Sequence, residues 1–303
     1  MSPRHLRFRF PLPLALLHLL LLGLLGACSQ HYGRPQAPPP APVASRYSLM
    51  RDIAFTPIGW PQQLWLDVYR PDGAGPFPSV LLIHGGAWKR GGRDQVESLA
   101  ERLAARGYLV VNTTYRLVPQ YVWPAQLEDV QQALRWMASP EGAAHGIDAA
   151  RIGTFGYSAG GHLAALVASV QDDPAFDKDP VRVKAVVAGG TPSDLPVFKD
   201  GKLVPALIGA PYADKPQAYV DASPIAHVSA GDPPVFIYHA GLDRLVPMEQ
   251  AERYKAALDA AGIPNELFIE RGREHITGFF FDGAAVDAAL EFLDRHLRQP
   301  EGR

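Results

Sequence analysis

The chain has 303 residues, and 47% of them are hydrophobic, enough to fill a sizeable core. Its formal net charge of −2 excludes a strongly basic surface and gives no reason to expect a nucleic-acid partner. The single cysteine, Cys28, excludes an intramolecular disulfide and a cysteine-based zinc site.

In chain order, residues 1–27 read as a segment apart from the fold. Arg4, Arg7 and Arg9 precede an apolar run from Leu14 to Leu25, and the small residues Gly26 and Ala27 stand before Cys28. This is the layout of a secretory signal. The alternative, a transmembrane anchor, has a short apolar run interrupted by His18. Leu25-Gly26-Ala27-Cys28 also resembles a bacterial lipobox. The resemblance implies cleavage before Cys28, lipidation of its thiol, and an exported protein anchored in the cell envelope. With Ser29 following, it points to the outer membrane where there is one. An unmodified Cys28 after a plain signal is the alternative. Residues 28–46 are rich in proline and read as an extended tether, and the domain is expected over residues 47–303.

Within the domain, strand-like and helix-like runs alternate. Arg51 to Phe55 and Leu64 to Tyr69 read as an amino-terminal hairpin, with a turn signal at Pro71-Asp72-Gly73. Ser79 to Ile83 is a short continuous apolar run, the pattern of a strand buried on both faces. Similar runs occur at Gly107–Asn112, Arg151–Phe155, Val183–Val187, Val235–His239 and Glu266–Glu270. Helical spacing predicts helices over Gln95–Ala105, Pro124–Met137, Gly161–Val170, Pro247–Ala261 and Ala284–Leu297. The alternation predicts an α/β fold with a mostly parallel sheet. Thr191 to Pro234 breaks the rhythm, is rich in proline and glycine, and is expected to cap the strand ends.

Gly156-Tyr157-Ser158-Ala159-Gly160 is a G-x-S-x-G motif between a predicted strand and a predicted helix. That context is a nucleophile elbow, with Ser158 exposed beside a helix N-terminus. The bland reading is a serine helix cap among small packing residues. His84-Gly85-Gly86-Ala87-Trp88 follows an earlier strand and suits an oxyanion loop. Gly86, Ala87 and Ala159 are the candidate N–H donors. Asp243 and His275 follow the last two predicted strands, in the order in which an acid and a base follow such a serine. His275 is the candidate base and Asp243 its orienting acid. Asp194 and Asp232 are rivals for the acid; His84, His162 and His239 are assigned local structural roles.

Together with Tyr115-Arg116-Leu117, Pro124 to Asp129 and Pro234 to Pro247, these residues resemble the hormone-sensitive-lipase-like esterases. Through the His-Gly-Gly-Ala-Trp form they are closer to the carbohydrate-esterase (BD-FAE-like) and arylformamidase-like branch. The resemblance implies the α/β-hydrolase fold, with helices on both faces of the sheet and a short cap-like insertion. It also implies hydrolysis of a carboxylic ester, on acylated carbohydrate or small esters, without metal or organic cofactor. Ala87 replaces the third glycine of lipase-like members, and Ile276 follows the base where relatives often carry Gly or Ala. Trp88, Tyr157 and Phe279 are candidates to line the substrate pocket or to serve as core. Arg116 and Asp129 are read as loop-fixing polar residues. An amide hydrolase of arylformamidase type, a short peptidase, and a lipid-anchored binding module without catalysis are the alternatives.

Overall fold

The structure, a computed structural model, describes residues 29–35, 37–280 and 283–298. The signal segment and Cys28 lie outside these residues. Among the described residues nine strands form one sheet: β1 (Ser29–Tyr32), β2 (Tyr47–Ala54), β3 (Trp65–Pro71), β4 (Phe77–Ile83), β5 (Leu109–Thr113), β6 (Ile147–Tyr157), β7 (Val183–Gly189), β8 (Val235–Ala240) and β9 (Asn265–Glu270). Their order is β1-β9-β8-β7-β6-β4-β5-β3-β2. Strands β4 to β9 run parallel to one another, and β1, β2 and β3 pair antiparallel at the two ends.

The apolar run of β4 explains the layering. Val80, Leu81, Leu82 and Ile83 are all fully buried. Successive side chains point to opposite faces. Leu81 and Ile83 therefore pack with α2 (Ala125–Ala138), α4 (Ala159–Ser169) and α7 (Glu249–Ala260). Val80 and Leu82 pack on the other face with α1 (Glu97–Ala105) and α9 (Gly283–Leu297). The sheet is mostly parallel, as the alternating pattern predicted, and the fold is that of an α/β-hydrolase, as the family resemblance implied.

The strand order also fixes where a site forms. The chain leaves β4 for β5 on one side, then returns to β6 on the other. Loops after β4 and β6 diverge at this switch point and leave a crevice at the carboxyl ends of the strands.

Four short helices escaped the periodicity reading: α3 (Pro140–His145), α5 (Leu203–Ile208), α6 (Pro216–Asp221) and α8 (His275–Phe280). Each has six residues, too few to show a 3.6-residue repeat. Helices α5 and α6 lie within the irregular stretch Thr191 to Pro234. The expectation that residues 28–46 stand apart from the domain is corrected at its start. Ser29 to Tyr32 pair with Glu270 to Leu267, and His31 Nε2 lies 2.8 Å from Glu266 Oε2. Backbone pairing covers an open sheet edge without needing apolar side chains, so composition gives no sign of it.

Arg116 and Asp129 do fix a loop. Asp129 accepts the Arg116 backbone N–H at 2.8 Å, the Arg116 Nε at 2.9 Å and the Trp60 indole at 2.8 Å. Both side chains are almost fully buried, and burial raises the Asp129 pKa despite these donors. Two residues beyond Arg116, the Val118 N–H donates to Trp88 O at 3.0 Å, tying the segment to the glycine loop after β4. Asp129→Ala would leave the buried Arg116 guanidinium with the half-exposed Glu128 as its one remaining ion-pair partner among the described residues and Ala125 O as a further acceptor. It should destabilise the protein by about 3–5 kcal/mol in urea denaturation; a loss below about 1 kcal/mol would contradict this account.

Candidate active site

Strand β6 ends at Tyr157, and α4 begins at Ala159. Only Ser158 separates them, at φ 56° and ψ −122°. This is a strained conformation for a non-glycine residue. Its neighbours show why the turn stays tight. A Cβ on Gly156 would lie 2.2 Å from the Gly160 carbonyl carbon, and one on Gly160 would lie 2.1 Å from Ile83 O. Gly160 thus lets the start of α4 press against the end of β4. The Ser158 N–H donates to Gly189 O at 2.7 Å, and the His162 N–H closes back on Ser158 O at 2.9 Å.

The carboxyl ends of β8 and β9 supply the other two polar groups. Asp243 follows β8, and its Oδ1 accepts the N–H groups of Leu245 and Val246 at 2.9 and 2.8 Å. His275 opens α8 after β9. Its Nδ1 lies 2.6 Å from Asp243 Oδ2, and its Nε2 lies 2.8 Å from Ser158 Oγ. A carboxylate only accepts, so the Nδ1 carries the proton and the Nε2 is free to accept the serine hydroxyl. Both Asp243 and His275 are buried, while Ser158 is partly exposed. The Tyr157 hydroxyl donates to His275 O at 2.7 Å, which anchors the backbone of the base to the elbow.

The loop after β4 lies against the elbow. A Cβ on Gly85 would come within 2.9 Å of Tyr157 O. Gly86, Ala87 and Trp88 all have positive φ, at 106°, 55° and 57°. The N–H groups of Lys89 and Arg90 both close on Gly86 O at 3.1 Å. Ala87 therefore occupies a left-handed position where the glycine of lipase-like relatives would be less strained. Gly86, Ala87 and Ala159 border one cavity with Ser158 and His275. Ala159 is the first residue of α4, so its N–H has no partner within the helix.

Three buried histidines hold this framework. His84 stacks on Tyr115 at 4.3 Å and contacts Gly85 O through Nδ1 at 2.8 Å. His162 Nδ1 accepts from the Trp88 indole at 3.3 Å, and its Nε2 donates to Ala222 O at 2.6 Å. Burial pulls both pKa values down to about 4, so both rings stay neutral. His239 donates from Nε2 to Val246 O at 2.8 Å and is also held neutral by burial. These are the structural roles assigned to them from sequence. The rival acids are engaged elsewhere: Asp194 pairs with Arg253 at 2.6 Å, and Asp232 accepts from the Ser229 hydroxyl at 2.9 Å.

The cavity measures about 650 Å³, and its lining is mostly apolar. Trp88, Tyr157 and Phe279 all border it, but Trp88 and Tyr157 are buried and also pack into the core. Sequence reasoning missed the Phe198, Lys202, Leu203 and Val204 side of the wall, which the insertion contributes, and Arg90 from the glycine loop. For Phe198, Leu203 and Val204 the one signal was apolar residues within a proline-rich, aperiodic stretch. Ile276 stands exposed at the mouth. Among the described residues no cluster of histidine, cysteine or carboxylate side chains could hold a metal ion.

The BD-FAE family model matches residues 66–258. LipM of Mycobacterium tuberculosis, a probable carboxylic ester hydrolase, is 35% identical over 218 residues, covering 67% of this chain and 50% of that protein. The chain spans between half and about three fifths of the length of such curated relatives, at 50%, 59% and 62%. A truncated carbohydrate esterase from gut microbiota shares the fold with a TM-score of 0.74 at 23% identity, over 87% of this chain and 100% of that one. An acetyl ester-xyloside bifunctional hydrolase from Caldicellulosiruptor lactoaceticus aligns with a TM-score of 0.66 at 28% identity, over 84% of this chain and 96% of that one. The sheet order, the strained elbow and the family match agree, and the chain belongs to the BD-FAE family of α/β-hydrolases.

Proposed function

We propose that the chain is a serine hydrolase of carboxylic esters, with acylated carbohydrates or small acyl and aryl esters as substrates. The observation that carries this reading is the unbroken line Ser158 Oγ, His275 Nε2, His275 Nδ1, Asp243 Oδ2, at 2.8 and 2.6 Å, opening on a mostly apolar cavity. The names of LipM and of the acetyl ester-xyloside hydrolase support an ester substrate.

In this reading Ser158 Oγ attacks the ester carbonyl carbon while its proton passes to His275 Nε2. Charge develops on the carbonyl oxygen, where the N–H groups of Gly86, Ala87 and Ala159 stabilise it. The imidazolium, steadied by Asp243, returns the proton to the departing alkoxide as the carbon–oxygen bond breaks. Water then repeats the sequence on the acyl-enzyme, releasing the acid and restoring Ser158.

Ser158→Ala should lower kcat by about 10³-fold or more with little change in folding. His275→Ala should do the same, and Asp243→Asn should be somewhat milder. Wild-type turnover by Ser158→Ala on every ester the parent cleaves would contradict the mechanism.

The reading extends to location. Export and lipid anchoring through Cys28 rest on the signal-like residues 1–27 and the lipobox resemblance of Leu25 to Cys28. Two or more acyl chains would hold the protein stably at a membrane where one would not. Mass spectrometry of the protein from its native cells should show the chain starting at an acylated Cys28, and Cys28→Ala should abolish that species. A free Cys28 thiol on the native protein would contradict anchoring.

A further inference from the structure

The cavity wall has a charge asymmetry that ester hydrolysis itself does not require. Two side chains of fixed positive charge border it, Arg90 and Lys202. Among the described residues none of the lining side chains is acidic. Neither Arg90 nor Lys202 forms an ion pair among the described residues, whereas nearby cations are engaged. Arg93 bridges Asp52 and Asp67, and Lys199 lies over the Tyr212 ring at 5.9 Å from its centroid.

The two cations come from different segments, and the backbone of each is defined. The Arg90 N–H closes the glycine-loop turn on Gly86 O at 3.1 Å. A Cβ on Gly86 would lie 2.0 Å from Arg90 O and 3.3 Å from Arg90 Cγ, so the Arg90 stem runs beside the loop that borders Ser158. Lys202 immediately precedes α5 in the insertion. Around them Leu203, Leu245, Ile276 and Phe280 are exposed by 38%, 48%, 57% and 69%. Apolar walls beside two cations concentrate the field that an entering ligand meets.

We infer that the cleft prefers esters bearing a carboxylate or another anionic group, with Arg90 and Lys202 as the specificity-determining residues. The apolar rim takes the uncharged body of the substrate, and the two cations meet its negative charge. This inference rests on the proposed ester hydrolysis and names a substrate class for it. The anion can sit on either side of the scissile bond, and two substrate pairs separate the cases. For the alcohol side the pair is 4-acetoxybenzoate and its methyl ester. For the acyl side it is phenyl hemisuccinate and its methyl ester.

The quantity to read is the ratio of kcat/KM for the anionic ester to that for its neutral partner. In at least one pair, the Arg90→Glu/Lys202→Glu double variant should lower that ratio by about tenfold or more relative to the wild type. Taking a ratio cancels differences in intrinsic ester reactivity and in active-enzyme concentration. Should the double variant misfold, Arg90→Gln and Lys202→Gln singly should lower the ratio by about threefold each. Raising ionic strength should likewise reduce the wild-type ratio. Ratios that stay within about twofold in both pairs, in the variants and in salt, would overturn the inference while leaving ester hydrolysis intact. A wild-type chain that cleaves none of the four esters would overturn the hydrolase reading, and the charge preference with it.

Discussion

The site depends on one close approach, that of the first turn of α4 to the end of β4. Gly160 sits so near Ile83 O that a single added methyl would overlap it, at 2.1 Å. Because α4 can settle that deeply, Ser158 is forced to φ 56° at the apex between strand and helix. A non-glycine residue held there costs about 1–3 kcal/mol. The surrounding sheet over-determines the turn: β6 is paired on both sides, with β4 up to Gly156 and with β7 up to Tyr157. The strain is therefore maintained by packing remote from the hydroxyl, and it presents the Oγ to the crevice at the switch point.

Other elements come to that apex rather than the reverse. The glycine loop after β4 can lie against Tyr157 only because Gly85 has no side chain. Strands β8 and β9, next to each other in the sheet, deliver Asp243 and His275 from adjacent carboxyl ends. Neutral buried histidines then cross-link the separate pieces. His162 joins the elbow helix to Trp88 of the glycine loop and to Ala222 of the insertion, and His239 braces the Val246 carbonyl beside Asp243. Each ring has a tautomer dictated by a carbonyl acceptor, and burial resists protonation. The wall of the cavity is thereby coupled to the position of Ser158 through hydrogen bonds as well as apolar contact.

Much of this was readable in the sequence because the governing constraints are local. A glycine two residues before and two after Ser158 is a steric statement, and β4 to β9 announce themselves as short apolar runs. Asp243 and His275 could be picked from many candidates because each follows a strand in the right order. What stayed hidden depends on distant partners. Ser29 to Tyr32 join the sheet by backbone pairing opposite Glu270 to Leu267, with His31 set against Glu266, so their polar composition misled. Helix α8 begins at His275 itself, in a stretch too short to show periodicity. Arg90 and Lys202 lie far apart in the chain, and only the folded insertion brings both to one cavity. Trp88 and Tyr157 illustrate a false choice between pocket and core, since each is buried and also borders the cavity.

The central claim is that the hydrogen-bonded line from Asp243 through His275 activates Ser158 and no other hydroxyl. It is tested most directly by reacting the intact protein with a fluorophosphonate probe and mapping the adduct by peptide mass spectrometry. The account predicts one adduct, on the peptide carrying Ser158, formed at a rate that drops sharply in His275→Ala. Labelling at another residue, or labelling of Ser158 that proceeds undiminished without His275, would contradict it.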